Sequence, residues 1–202
     1  MLDALREQLA ATAPTELAAV ALGIVYIALA IGRRRACWIA GGFSTALYAV
    51  VFLEAALYLQ SALQVGYVAL SVYGWRQWTS AAAGSEIEPR RWSAGRHARA
   101  AAAVALATAV TAPLLAGFTD AAAPWADALG TWSSVVATWM MAQRIAEHWL
   151  WWVVIDVGLA LLFGSQGLAL TAVLYAGFAL MALAGFAAWR RAMRAAAPGS
   201  AA

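Results

Sequence analysis

The chain has 202 residues, of which 64% are apolar and 11% charged, with eleven Trp and a formal net charge of +3. A soluble domain carries about a quarter charged residues and under half apolar ones, so no soluble fold of this length could bury this much hydrocarbon and the bilayer must serve as the solvent. The arginines sit in short loops instead of on one surface, which argues against nucleic acid, and the single cysteine, Cys37, excludes an internal disulfide and a Cys-based metal site.

The first fifteen residues are expected to form a periplasmic N-terminus. They contain Asp3, Arg6, Glu7 and Pro14, which interrupt any apolar core of the kind a cleavable signal needs. A spanning helix needs about 20 largely apolar residues, and without water its backbone must satisfy its own hydrogen bonds. Seven stretches qualify: 16–32, 38–54, 60–78, 100–118, 127–143, 149–163 and 168–189. Arg33-Arg34-Arg35 separates the first two, and Gly41-Gly42 marks a place for close helix approach. Residues 79–99 form the one long polar loop. Pro113 lies inside the fourth stretch, where a kink is expected. Asp120 to Asp127 separates the fourth and fifth stretches, Arg144 to His148 the fifth and sixth, and Gly164-Ser165-Gln166-Gly167 the sixth and seventh. After Trp189 come Arg190, Arg191 and Arg194, then a tail of small residues.

Threading seven helices places the loops at 33–37, 79–99 and 144–148 on one side with the C-terminus. That side holds every Arg except Arg6, while Asp3, Glu7, Glu16, Glu54, Asp120 and Asp127 fall on the other. The positive-inside rule then predicts an inner-membrane protein with an outside N-terminus and a cytoplasmic C-terminus.

The chain also repeats itself. Residues 33–78 fall without a gap on residues 111 positions later, pairing Arg33 with Arg144, Trp38 with Trp149, Gly66 with Gly177, Gly74 with Gly185 and Trp78 with Trp189. The predicted fold is therefore an all-α membrane protein in a 3+1+3 arrangement. Residues 16–78 form a first three-helix repeat, 79–126 a cytoplasmic loop and linker helix, 127–190 a second repeat, and 191–202 a cytoplasmic tail. With one helix between them, both repeats cross in the same sense, an arrangement used by small transporters of the SWEET type.

The residues that could carry chemistry cluster in the sixth stretch. Trp149, Trp152 and Asp156 are spaced i, i+3 and i+7 and share one helix face. A carboxylate within the bilayer costs roughly 2.5–3.5 kcal/mol by insertion scales, which makes Asp156 a functional candidate. The plainer alternative is a carboxyl satisfied by a neighbouring Tyr, Gln or Arg. Two aromatic faces beside a carboxylate suit a flat organic cation. In the first repeat the same positions are Trp38, Gly41 and Thr45, so a symmetric scaffold carries an asymmetric lining. Ser44, Tyr48, Gln64, Tyr67, Ser133, Ser134, Thr138 and Tyr175 are further polar groups within the spans, and Gln64 and Tyr175 are repeat partners. Ser and Thr in spanning helices commonly bond back to their own backbone, whereas the four hydrogen-bonding sites of Gln64 demand partners. His97 and His148, without a second acidic ligand beside them, make a weak metal case, and no metal or cofactor is expected. Nucleophile-elbow, His-Glu-x-x-His and phosphate-loop patterns are absent. A solute transporter, a membrane scaffold and, least supported, an intramembrane enzyme remain as readings.

The run Trp149-x-x-Trp152-x-x-x-Asp156 resembles the signature of the PnuC family of nicotinamide riboside transporters. So does Leu63-Gln64-x-x-Tyr67 followed by Tyr73-Gly74-Trp75-x-x-Trp78. The resemblance extends from about Leu17 to Arg190. It implies two three-helix bundles joined by a linker helix, a homotrimer in membrane lipid, and no enzymatic activity of its own. It further implies facilitated diffusion of an unphosphorylated vitamin, trapped by a cytoplasmic kinase on the way to NAD biosynthesis. Trp149, Trp152, Asp156 and Gln64 would bind the substrate, with Thr45, Tyr48, Thr138 and Tyr175 completing the set. One departure stands out: the fifth stretch reads Ala137-Thr138-Trp139-Met140-Met141-Ala142, with Thr where the family commonly has Gln. Nicotinamide riboside and thiamine are both aromatic cations, and the residues alone do not separate them.

Overall fold

A computed structural model describes residues 14–54, 58–81, 87–119, 123–165 and 169–196. Residues 1–13 of the expected periplasmic segment, with Asp3, Arg6 and Glu7, the side chain of Glu16, Asp120, and the second half of the C-terminal tail, 197–202, lie outside the described residues. Among the described residues there are seven helices: α1 Pro14–Ile31, α2 Cys37–Glu54, α3 Tyr58–Ala81, α4 Ala94–Phe118, α5 Pro124–Ala142, α6 His148–Ser165 and α7 Ala169–Ala195. By length and composition, Cys37–Glu54, Ala94–Phe118, His148–Ser165 and Ala172–Ala195 are apolar enough to cross a membrane, and the apolar part of α1, Leu17–Ile31, is shorter. α3 and α5 fall below that mark because α3 carries Ser61, Gln64, Ser71 and Arg76, and α5 carries Asp127, Ser133, Ser134 and Thr138.

The helices overrun the apolar stretches mainly at their polar ends. α4 begins at Ala94, six residues before the hydrophobic run, and α7 continues past Trp189 to Ala195. Hydropathy marks where the bilayer would be, whereas Ala and Arg continue a helix readily in water. α4 also runs unbroken through Pro113.

The chain divides into two compact units, Met1–Ser85 and Glu86–Ala202. In the first, α2 packs against both α1 and α3; in the second, α6 packs against both α5 and α7, and α4 packs on α5. The middle helix of the first unit uses its glycine pair to allow this. A Cβ on Gly41 would meet the Tyr26 ring of α1 at 2.8 Å, and one on Gly42 would touch Ser71 of α3 at 3.4 Å. Ser44 adds a cross-helix bond, its hydroxyl donating to the Ala19 carbonyl at 2.7 Å.

The elbows before α2 and α6 have the same construction. α1 and α5 both end in a Schellman turn with a left-handed Arg, Arg33 at φ 55 and Arg144 at φ 66. Arg34 N–H donates to Leu29 O and Arg33 N–H to Ala30 O; 111 residues on, Ile145 N–H donates to Met140 O and Arg144 N–H to Met141 O. The left-handed conformation costs a non-Gly residue roughly 1–2 kcal/mol, a cost both elbows carry at the same place. α2 and α6 then start in register and run for 18 residues each.

Outward faces are apolar. Phe43, Val65, Leu106, Val154, Leu161, Val173 and Leu180 are all exposed. Patches of this kind are rare on soluble monomers and ordinary against lipid.

Candidate functional site

Trp149 opens α6 and is 4% exposed. Its indole lies across α7 at Gly185, where a Cβ would come within 2.6 Å of Cδ2 and Cε2, and it meets Trp189 edge to face at 6.1 Å. His148, fully buried, packs its ring against Trp149 at 4.5 Å and Trp189 at 4.8 Å. Its Nδ1–H donates to the Ile145 carbonyl at 2.7 Å, which holds the ring in place. The first unit repeats this joint: Trp38 lies over Gly74 and meets Trp78 edge to face at 5.6 Å. In both units an absent side chain on the last helix makes room for an indole from the helix before it. The faces of Trp149 are therefore engaged by the protein itself, and its ring acts as a wedge that fixes α6 against α7.

One turn further, Trp152 is half-buried, with no ring contact recorded among the described residues. Asp156 follows on the same face, two turns from Trp149, and is 5% exposed. No hydrogen bond or ion pair to Asp156 is found among the described residues, so the plainer alternative of a carboxyl satisfied by a bonded neighbour is not what these residues provide. Asp156 interacts electrostatically with the Tyr175 hydroxyl of α7. Tyr175 is held by two rings, stacked on Phe163 at 5.3 Å and edge-on to Phe178 at 5.8 Å. A buried polar group without a partner costs about 1–3 kcal/mol, and more when charged. Such a carboxyl beside a half-buried indole suits a cationic guest.

Thr138 on α5 is buried, and its hydroxyl donates to the Ser134 carbonyl at 2.8 Å. That back-bond uses the only donor of the side chain. The remaining predicted residues lie in the first unit. Thr45 donates to Gly41 O at 3.0 Å and also lies 3.2 Å from Gly42 O. Tyr48 stacks on Phe52 at 5.7 Å. Gln64 on α3 is half-buried with no hydrogen bond among the described residues. Its amide, like the carboxyl of Asp156, has no hydrogen-bond partner among the described residues.

Four features escaped the sequence reading. Gly74 and Gly185 appeared only as matching letters, yet each is the seat of an indole. His148 was weighed only as a metal ligand and is instead a packed ring. Phe163 and Phe178 clamp Tyr175, and neither Phe was singled out. Glu147 was not singled out at all, yet it is buried and accepts from Arg91 Nε at 2.8 Å. The spacing Gly-x-x-x-Trp, present at 74–78 and 185–189, was the available signal for the first of these.

A helical membrane protein whose α6 face carries a half-buried Trp and a buried carboxyl with no bonded partner among the described residues has the chemistry to receive a small cationic solute. The family described as nicotinamide mononucleotide transporter matches residues 13–191, and the chain belongs to that family, the PnuC family. The chain is 26% identical over 193 residues to the nicotinamide riboside transporter PnuC of Escherichia coli (strain K12), covering 83% of this chain and 81% of that protein. The figures for the nicotinamide riboside transporter PnuC of Shigella flexneri are the same. Among solved structures, the crystal structure of the vitamin B3 transporter PnuC superposes with a TM-score of 0.70 at 22% identity, covering 91% of this chain and 83% of that one, so the two share a fold.

Proposed function

We propose that this protein imports nicotinamide riboside across the bacterial inner membrane by facilitated diffusion, and that a cytoplasmic kinase traps the solute by phosphorylation. The observation that carries the reading is the face of α6 on which Trp152 is followed by Asp156, which has no bonded partner among the described residues. A pyridinium ring offers both groups what they lack, charge for the carboxyl and a cationic face for the indole, the latter worth about 0.5–2 kcal/mol. The bacterial relatives described as nicotinamide riboside transporters support the same substrate. Phosphorylation makes the product anionic, and an anion is repelled from a site built around a carboxylate.

In this reading all seven helices cross the membrane with the N-terminus outside, as a parallel 3+1+3 repeat of SWEET type assembled as a homotrimer. The repeat is supported by the matched Schellman elbows and the matched indole-on-glycine joints. Trp149 serves as the wedge under Trp152. Thr138 and Tyr175 add polar and aromatic surface within the second unit, and Gln64, Thr45 and Tyr48 do so within the first.

Thr138 favours a second substrate, thiamine. With its hydroxyl bonded to Ser134 it cannot offer the two amide donors that Gln would present, so ribose recognition is weakened and a thiazolium becomes a competitor. The test is uptake of labelled nicotinamide riboside into liposomes containing the purified protein, with unlabelled thiamine as competitor. Uptake that thiamine leaves unchanged supports the first substrate. Entry of labelled thiamine with none of the riboside moves the chain to the second, and entry of neither removes the transport reading in favour of a scaffold.

A further inference from the structure

The α5–α6 elbow carries an attachment that the matching α1–α2 elbow cannot have in the same form. Residues 87–93, just before α4, lie along it. Arg90 N–H donates to Arg144 O at 2.7 Å and Ala146 N–H donates to Arg90 O at 2.8 Å, forming a one-residue parallel bridge to Ile145. Glu147 completes the joint: its Oε1 accepts from Arg91 Nε at 2.8 Å and its Oε2 from Trp92 N–H at 3.4 Å. Beyond it, Trp92 packs edge-on against Trp139 of α5 at 5.4 Å and tilts against His97 at 5.5 Å, and the Trp151 indole of α6 donates to His97 Nδ1 at 3.4 Å. One short strap thus touches the end of α5 and the elbow, and His97 of α4 next to it reaches the first turn of α6. At the position of Glu147 the first unit has Ala36, which has no carboxylate to offer.

The burial of the ion pair is lopsided. The Glu147 side chain is 9% exposed and that of Arg91 72%. Glu147 also precedes α6, its carbonyl accepting from Leu150 and Trp151 N–H at 3.0 and 3.3 Å. A carboxylate there is favoured by the helix dipole, and a capping role would turn it toward the first amides of its own helix. It reaches to the strap instead.

We propose that Glu147 is a positioning residue for transport: by fastening the 87–93 strap to the elbow it sets the depth and rotation of α6, and through them the placement of Trp152 and Asp156. At 1.5 Å per residue, Asp156 stands about 13 Å along α6 from this anchor. A small pivot at the elbow is therefore enlarged at the carboxylate, and sites of this kind fail when held about 1 Å too loosely. The proposal rests on the transport reading above, because only that reading gives Trp152 and Asp156 a solute to hold.

The test uses full-length protein with Arg91→Ala, Arg91→Lys, Glu147→Gln and Glu147→Asp. Arg91 is mostly exposed, so Arg91→Ala still reports if Glu147→Gln fails to assemble. Two quantities are read: amide hydrogen exchange in peptides covering 86–93 and 143–149, and Kd and KM for nicotinamide riboside and for thiamine. Arg91→Ala and Glu147→Gln are expected to speed exchange in both peptides by tenfold or more. They should also raise Kd and KM at least fivefold for whichever solute binds, with the maximal rate within twofold, and the Lys and Asp variants should recover part of both. Faster exchange with unchanged Kd and KM reduces the strap to a structural brace and overturns the proposal, as does unchanged exchange. Wild-type protein that binds neither solute overturns the transport reading and the positioning role together, and is recognised because it fails before any substitution is made.

Discussion

Replacing Gly185 with Ala tests whether Trp149 is a wedge held by α7. The new methyl carbon would lie 2.6 Å from Cδ2 and Cε2 of the indole and 2.8 Å from Cε3. Carbon atoms rest about 3.5–4.0 Å apart, so the ring must retreat by roughly 1 Å. The His148 ring at 4.5 Å and Trp189 at 6.1 Å constrain that retreat. Overpacking of this kind costs about 1–3 kcal/mol. Ala also gains up to about 1 kcal/mol over Gly in helix propensity, which would mask part of the loss. Gly177 supplies the correction, since it lies on the same helix with nothing within 4 Å of its Cβ position. Gly177→Ala shows the propensity gain alone, and the difference between the two variants isolates the clash. For a chain of 150–250 residues 1 kcal/mol moves Tm by about 2–4 °C, so Gly185→Ala is expected to melt roughly 2–12 °C below Gly177→Ala. Thermal unfolding of the purified variants in one detergent, followed by Trp fluorescence, measures this. Equal melting temperatures would refute the wedge.

Three further outcomes are expected. Asp156→Asn removes the charge while keeping the shape, so binding of the cationic solute should fall at least tenfold in equilibrium binding while Tm holds or rises; retained affinity would sink the assignment. Trp152→Ala should abolish uptake with little change in Tm, whereas Trp149→Ala should cost about 3–5 kcal/mol of stability; melting curves and uptake run side by side distinguish them, and the reverse pattern would count against the division of roles. Thr138→Gln restores the amide donors and should shift the ratio of nicotinamide riboside to thiamine uptake severalfold toward the riboside, with an unchanged ratio showing that position 138 does not select the solute.

Much of the site was legible because it rests on helix periodicity. Trp149, Trp152 and Asp156 share a face by spacing alone, and the 111-residue register anticipates that whatever seats Trp38 also seats Trp149. The separate roles of the two Trp were not legible. Both read as aromatic surface, and only the glycine under Trp149, together with His148 and Trp189, reveals a ring already enclosed. The hydroxyls of Thr45 and Thr138 are spent on their own helices, as the sequence led one to expect, because the nearest acceptor in a spanning helix is usually its own carbonyl.

By itself the sequence determined the membrane class, the positions of the seven helices to within a few residues at most ends, and the internal register. Each depends on composition or on contacts within one helix. The strap was decided only by tertiary structure, because Arg91 and Glu147 are 56 residues apart and nothing in local periodicity pairs them. Hydropathy read residues 79–99 as a polar loop, since an Arg or Glu scores the same whether it faces water or a buried partner. Burial of the Glu147 carboxylate, and the absence of any described partner for Asp156, emerge only when the helices are packed, because both are properties of what surrounds a charge.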